Sequence, residues 1–384
     1  MTAELEQTNG RSLTQTANGA DREACELEVE WVSDPADLAP LADAWDELAG
    51  PDRLLTSEYA WTLAAAEVFG VGRGLRVALV RDRSGRLRAA GAVAQHVEQA
   101  GLLELVGTSV LHEPTDVVAA DQDALAALAG ALAGLHSSLL LRRIPVESRL
   151  PAALRASLRL PGLVLERPSS GCPVIELDPS WEEPEARLNS RRRSDLRRAR
   201  RRAEALGELT YDFHCPEPGD VERLLAEAMA VEEHGWKGRA GTALLHADRE
   251  WAFYQRYCEL AARRGNLRIA FLRIGGKAAA MQVAVETANR LWLLKTGYDE
   301  DFGRCSPGAL LNARSIAYAV GRGLSGYEFL GSPEPWTRPW TERERACVAL
   351  VRYRTNLRSL PMIAATTRQA LARRRRRAKA AAHR

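Results

Sequence analysis

The sequence is short of lysine, of clustered cysteine and of long apolar runs, and each shortage removes a class of protein. Only four lysines occur (Lys237, Lys277, Lys295 and Lys379), against 49 arginines. GC-rich coding accounts for most of that bias, and it makes a lysine in a motif-like setting slightly more informative. The six cysteines, at 25, 172, 215, 258, 305 and 347, form no Cys-x-x-Cys unit and no metal-ligand spacing with histidine. That argues against a zinc site or a disulfide framework and fits a reducing cytoplasm, where we expect the protein to reside. The longest apolar run, Ala124–Leu135, stops at His136, short of the roughly 20 residues a membrane helix needs. The first 25 residues are polar, lack the apolar segment of a signal peptide and are expected to be disordered. Nucleotide and hydrolase signatures are missing too. Gly70-Val-Gly72-Arg-Gly74 has the wrong spacing and lies between a helix and a strand. Gly275-Gly276-Lys277 lacks the earlier glycine of a P-loop, and there is no Gly-x-Ser-x-Gly elbow.

The residues that are present describe a soluble chain of 384 residues, 46% hydrophobic, long enough for two substantial cores. A net charge of +3 is too small to imply nucleic-acid binding by itself, and no DNA partner is expected. The chain repeats itself. GLRVALVRDRSGRLRAAGAVAQHVEQAGLLELVGT (74–108) and NLRIAFLRIGGKAAAMQVAVETANRLWLLKTG (266–297) both read as strand, turn, strand, turn, strand. Each comes after a helical segment, Ser57–Phe69 or Asp248–Arg264, and precedes a further helix and strand, with 139–144 and 326–330 as the later strands. The expected fold is α/β: a tandem duplication of one unit, each lobe a mostly antiparallel mixed sheet flanked by helices. The expected divisions are a disordered 1–25, an N-terminal lobe 26–180, a C-terminal lobe 181–365 with a leading arginine-rich helix, and a basic tail 366–384.

The richest segment runs from Arg290 to Gly331 and reads as strand, loop, helix, strand. Ser306 suits an N-cap, Pro307 suits the first helical position, and the helix should end near Gly321 or Gly323. Such a start leaves several N–H groups free at the positive end of the helix, which suits a diphosphate or another anion. Elsewhere, Trp181–Leu206 has an apolar helical face (Leu188, Leu196, Ala199, Ala203, Leu206) and arginines on the others. A solvated surface is the first reading of those arginines, an anionic substrate the second and RNA the third, because stacking aromatics are absent from the helix.

Arg304-x-x-Pro307-x-Ala309 resembles the Gln/Arg-x-x-Gly-x-Gly/Ala loop of the GNAT acetyltransferase superfamily, whose amides hold the pyrophosphate of coenzyme A. Proline replaces the first glycine and removes a donor, while Gly308 keeps close backbone approach open. The segments RRRSDLRRARRRAEALG (191–207), EEHGWKGRAGTALL (232–245), LLKTGYDE (293–300), SPGALL (306–311) and EFLGSPEPWTRPW (328–340) resemble the CelD-like branch, which is related to the Fem-type peptidyl transferases. In the last segment the resemblance leads one to expect a basic residue near Thr337, a place Arg338 could take. It implies acyl transfer, with acetyl-CoA or another acyl-CoA as co-substrate and no metal. The implied acceptor is an amine or hydroxyl of a sugar, nucleotide-sugar or cell-envelope precursor.

Each candidate residue has a role on that reading. Arg304, Ser306, Gly308, Ala309 and Lys295 would hold the donor. Tyr298 could protonate the departing thiolate, and Asp299 could hold the acceptor or take its proton. Glu233 and Glu328 are further base candidates, whereas Glu232 reads as a solvated helix end. Trp236 and Lys237 would shape the acceptor site, joined by His112 and Asp116 of the first lobe at the cleft between lobes. Two alternatives stay open: Fem-like transfer from charged tRNA, and a binding protein that has lost catalysis.

Overall fold

The computed structural model describes residues 26–158, 163–235 and 248–353. The expected disordered N-terminus, the basic tail and two acceptor candidates, Trp236 and Lys237, lie outside these residues. In chain order the strands are β1 (Glu28–Val32), β2 (Arg76–Arg81), β3 (Leu87–Gln95), β4 (Leu102–Leu105), β5 (Val118–Ala119), β6 (Ser138–Pro145) and β7 (Leu163–Glu176). They continue as β8 (Leu209–His214), β9 (Leu267–Ile274), β10 (Lys277–Thr287), β11 (Arg290–Tyr298), β12 (Gly326–Glu328) and β13 (Glu344–Tyr353). All belong to one mixed sheet in the order β1-β2-β3-β4-β6-β13-β7-β12-β11-β10-β9-β8, with β5 on the side of β3.

The repeat seen in the sequence is present in the pairing. Antiparallel ladders join β1 to β4 in one half and β8 to β11 in the other. Each meander then meets one parallel neighbour, β4 beside β6 and β11 beside β12. The hairpin between β9 and β10 turns on Gly275 and Gly276, both at positive φ (56° and 80°), as a two-residue turn matched to strand twist requires. The protein is therefore a tandem α/β duplication, each half a mostly antiparallel mixed sheet with helices packed on it.

The halves are joined by an exchange of strands that the sequence did not disclose. β7 pairs with β12 of the second half, β13 pairs with β6 of the first, and β7 and β13 pair with each other. Arg143 clasps the same junction from φ 51°, 7% exposed. Its guanidinium donates to Gly171 O at 3.2 Å, to Cys172 Sγ at 2.7 Å, and to the carbonyls of His112 and Gly331. Glu113 accepts from Gly331 N–H at 2.9 Å, so both polar groups of one second-half residue are held by first-half side chains.

Helices bury the remaining surfaces. Trp61 of helix Tyr59–Ala65 meets Phe253 and Tyr257 of helix Asp248–Arg263 edge-on, at 4.8 and 5.0 Å between centroids. These aromatics belong to a core shared by the two halves, together with Trp292 and Leu294 of β11. The opposite face of the second half packs against the arginine helix, Ser190–Glu204, and the helix Pro307–Gly321, through Leu196, Ala199, Leu310 and Leu311. Leu206, expected on the buried face, is 62% exposed, because the arginine helix ends at Glu204 and the chain turns away.

Arg143→Met removes donors from three carbonyls held at the junction. Urea denaturation should show a loss of about 3 kcal/mol or more, since buried acceptors are left unpaired. A loss under about 1 kcal/mol would mean that the exchanged strands hold the halves without the clasp.

Candidate active site

Strand β11 brings the candidate residues together because its alternation is broken. Leu291 and Leu293 face the core under the arginine helix, whereas Trp292 and Leu294 face the shared core. Across the ladder, Val283 pairs with Lys295 and Ala284 with Leu293, which leaves Leu294 as the extra residue of a bulge. Beyond it the parity reverses. Lys295 lies 4.4 Å above the Tyr254 ring and 3.8 Å from Glu250 on the shared-core side. Thr296 and Tyr298 are turned to the opposite face. Beyond Trp292 the neighbour is also lost, because the parallel ladder with β12 covers only Arg290–Trp292 against Gly326–Glu328. The two strands therefore separate around a wedge.

A cavity of about 600 Å³ opens on that face. One wall is the turn Ser306–Ala309, another is Thr296–Tyr298, and a third is Glu232 with Gly235. The arginine helix supplies Arg192 and Asp195, and Trp336 and Trp340 close the remaining side. Glu232 is 3% exposed and lies at the end of helix Val221–Glu233. That helix end approaches the strand closely: a Cβ at Gly235 would sit 2.8 Å from the carbonyl oxygen of Tyr298. Asn312 also reaches the cavity, its Oδ1 fixed by Gln282 Nε2 at 2.5 Å.

The turn departs from its expected form. Ser306 occupies the cap position in the left-handed region (φ 45°), and its side chain makes no capping bond. Its carbonyl accepts from the N–H groups of Ala309 at 3.0 Å and Leu310 at 3.2 Å. Pro307 has no N–H, so of this first turn only Gly308 N–H is left without a backbone partner among the described residues. Several free amides were expected and one is found. Gly308 faces Tyr298, whose ring carbon would lie 3.7 Å from a Cβ placed there, an ordinary contact. Arg202 donates to the carbonyl of Arg304 at 3.1 Å and ties the turn to the arginine helix.

The other candidates lie apart from this cavity. Asp299 caps the turn Glu300–Cys305, accepting from Asp301 N–H at 2.9 Å, and the Arg304 side chain is exposed. Glu233 is next to Glu232 but does not line the cavity. Glu328 is fully buried, with Arg290 at 3.0 Å and Arg345 at 2.6 Å on its Oε1, which makes it the centre of an ion cluster. His112 and Asp116 belong to the first half. Burial, then the nearby Arg142 guanidinium, holds the His112 imidazole below its usual range. Burial pushes the Asp116 carboxyl up to about 6, against hydrogen bonds from Ser148 and from the Val117 N–H. Thr337 is 1% exposed and bonds within its own turn, while Arg338 is exposed.

Sequence reasoning set Glu232 aside as a solvated helix end and did not single out Arg192, Asn312 or the two tryptophans. For Glu232 a signal existed: Leu225, Ala228, Met229 and Glu232 keep helical spacing along one buried face. No group of three or more His, Cys, Asp or Glu placed to hold a metal occurs among the described residues. No helix among them is long and apolar enough to cross a membrane.

Residues 190–338 match the model of the acetyltransferase (GNAT) domain, and most of the residues that line the cavity fall within that match. Solved structures share the whole two-lobed fold at low identity. A conserved protein of unknown function from Bacteroides thetaiotaomicron has a TM-score of 0.56 at 10% identity, over 85% of this chain and 100% of that one. FemX has 0.54 at 13%, over 87% and 99%. A C-terminal DUF2156 domain from Agrobacterium fabrum has 0.52 at 14%, over 87% and 96%. A search of curated proteins finds no match.

Asp116 gives a pH test. With its folded pKa raised, it contributes stability that is fully present below about 3.8 and is lost as pH rises through about 6. Asp116→Asn keeps the acceptor oxygen for Val117 and should exceed the parent by about 3 kcal/mol at pH 7.5. At pH 4 the two should unfold together; a gap independent of pH would contradict the assignment.

Proposed function

We propose that the chain transfers an acyl group from an acyl-CoA to an amine or hydroxyl acceptor at the cavity beside β11. The observation that carries this reading is the meeting, in one cavity, of the Ser306–Ala309 turn with Tyr298 and Glu232. The wedge between β11 and β12 gives a donor chain access to unpaired strand edge, and Gly308 N–H offers one backbone contact to its diphosphate. Acetyl is the acyl group that the domain match suggests, and a sugar, nucleotide-sugar or cell-envelope precursor the acceptor class that the sequence resemblance suggests. The fold match to FemX keeps aminoacyl transfer from charged tRNA as the second reading, and the exposed arginine helix at the rim favours it.

The chemistry needs two proton carriers and no covalent intermediate. Glu232, buried in the wall of the cavity, takes the proton from the attacking nitrogen or oxygen as the new bond to the acyl carbon forms. Tyr298 gives its hydroxyl proton to the sulfur as the carbon–sulfur bond breaks. Asn312 and Gly308 N–H are the neighbouring polar groups that orient the donor. Asp299 positions the turn through its cap at Asp301 rather than touching the reacting atoms.

Two measurements test this. Acetyl-CoA at ~100 times its dissociation constant should stabilise the protein by about 2.7 kcal/mol in thermal unfolding. No shift with any acyl-CoA, but protection by charged tRNA, would move the assignment to the second reading. Tyr298→Phe should lower kcat by about 100-fold with donor affinity unchanged. Parental turnover in that variant would remove Tyr298 from the reaction.

A further inference from the structure

The turn that should hold the donor's diphosphate has lost most of its amides. Pro307 lacks an N–H, and those of Ala309 and Leu310 are committed to the Ser306 carbonyl. One N–H remains for a group carrying at least two negative charges, so other donors are required.

They stand on the adjoining surface. A second cavity of about 580 Å³ continues the first, sharing Leu188, Arg192, Pro335 and Trp340 with it. Arg187, Arg192 and Arg338 line it. Arg187 is ordered, donating to Ser180 Oγ at 2.9 Å and lying 4.9 Å from the Trp181 ring centroid. Arg192 and Arg338 are exposed, and their backbone N–H groups are engaged by Asn189 and by the Glu334 carbonyl. Of the acidic groups that line the two cavities, Glu232 is buried in the first, Asp195 pairs with Arg198, Glu334 accepts from Trp336 Nε1 at 2.7 Å, and Glu342 is exposed at the edge of the second. Asn189 caps the helix through Arg192 N–H at 2.9 Å, which fixes the first turn that carries Arg192.

We infer that Arg192, with Arg338 and Arg187 behind it, replaces the missing loop amides as the binding site for the phosphates of the donor. This rests on the acyl-CoA reading above and adds the residues that anchor the anion. A guanidinium suits the task because its planar fork bonds two phosphate oxygens at once, and it stays charged at any working pH. Pro307 in the turn and Arg192 at the rim then fit together: the anion contact has moved from backbone to side chain.

The test is isothermal titration of the full chain with coenzyme A and with pantetheine, which lacks the phosphates. The parent should bind coenzyme A far more tightly, and its affinity should fall as salt rises. Arg192→Gln should weaken coenzyme A at least tenfold and leave pantetheine within twofold. Arg192→Lys should restore part of the loss, and Arg338→Gln should show a smaller one. Arg192 is exposed, so unfolding curves of parent and variant should coincide. If the parent binds coenzyme A and Arg192→Gln binds it equally well, the inference is overturned while the donor assignment stands. If the parent binds neither compound, both fail together.

Discussion

The site depends on one extra residue in a strand. Leu294 has no partner across the ladder, and that single irregularity reverses which way every later side chain of β11 points. With strict alternation Tyr298 would join Trp292 and Leu294 in the shared core. With the bulge it stands in the cavity, while Lys295 is carried onto Tyr254 instead. A bulge costs ladder hydrogen bonds, and the cap of Asp299 and the packing of Gly235 against the strand end offset that cost nearby.

The duplicated halves differ in the segment that comes after the fourth strand of each meander. In the second half β11 leads through a turn into the fifteen-residue helix Pro307–Gly321. In the first half β4 leads through the four-residue helix Thr108–Leu111 and β5 before the thirteen-residue helix Gln122–Gly134 begins, so no long helix starts directly after the strand. One lobe therefore carries the helix-start turn that lines the cavity, and the other supports it. The support is physical: β7 and β13 cross between halves, and Arg143 and Glu113 fix the backbone of Gly331 at the end of the wedge-forming segment. Any relative movement of the lobes would have to break those bonds.

Much of this architecture was legible in the sequence. The two strand triplets, their glycine turns and the helix after Pro307 arise from local chemistry and appear where that chemistry puts them. The exchange of β7 and β13 was not legible, because strand partners far apart in sequence leave no local mark. Site residues divided along the same line. Tyr298 and the Ser306–Ala309 turn, which line the cavity, were singled out from their order along the chain. Glu232 carried a periodic signal that its charge masked, since a carboxylate at a helix end ordinarily lies in water. Asp299 and Glu328 looked chemical and are placed as a cap and an ion-pair centre, because a motif shows residue type but not which way a side chain points. The arginine helix showed its charge in sequence; the cavity that Arg192 borders required the fold.

The most direct test is a crystal structure of the full chain grown with acetyl-CoA. The account predicts the thioester in the wedge between β11 and β12, its sulfur within hydrogen-bond reach of the Tyr298 hydroxyl and its phosphates toward Arg192. Density for the donor in the first half, or with its sulfur remote from Tyr298, would contradict it.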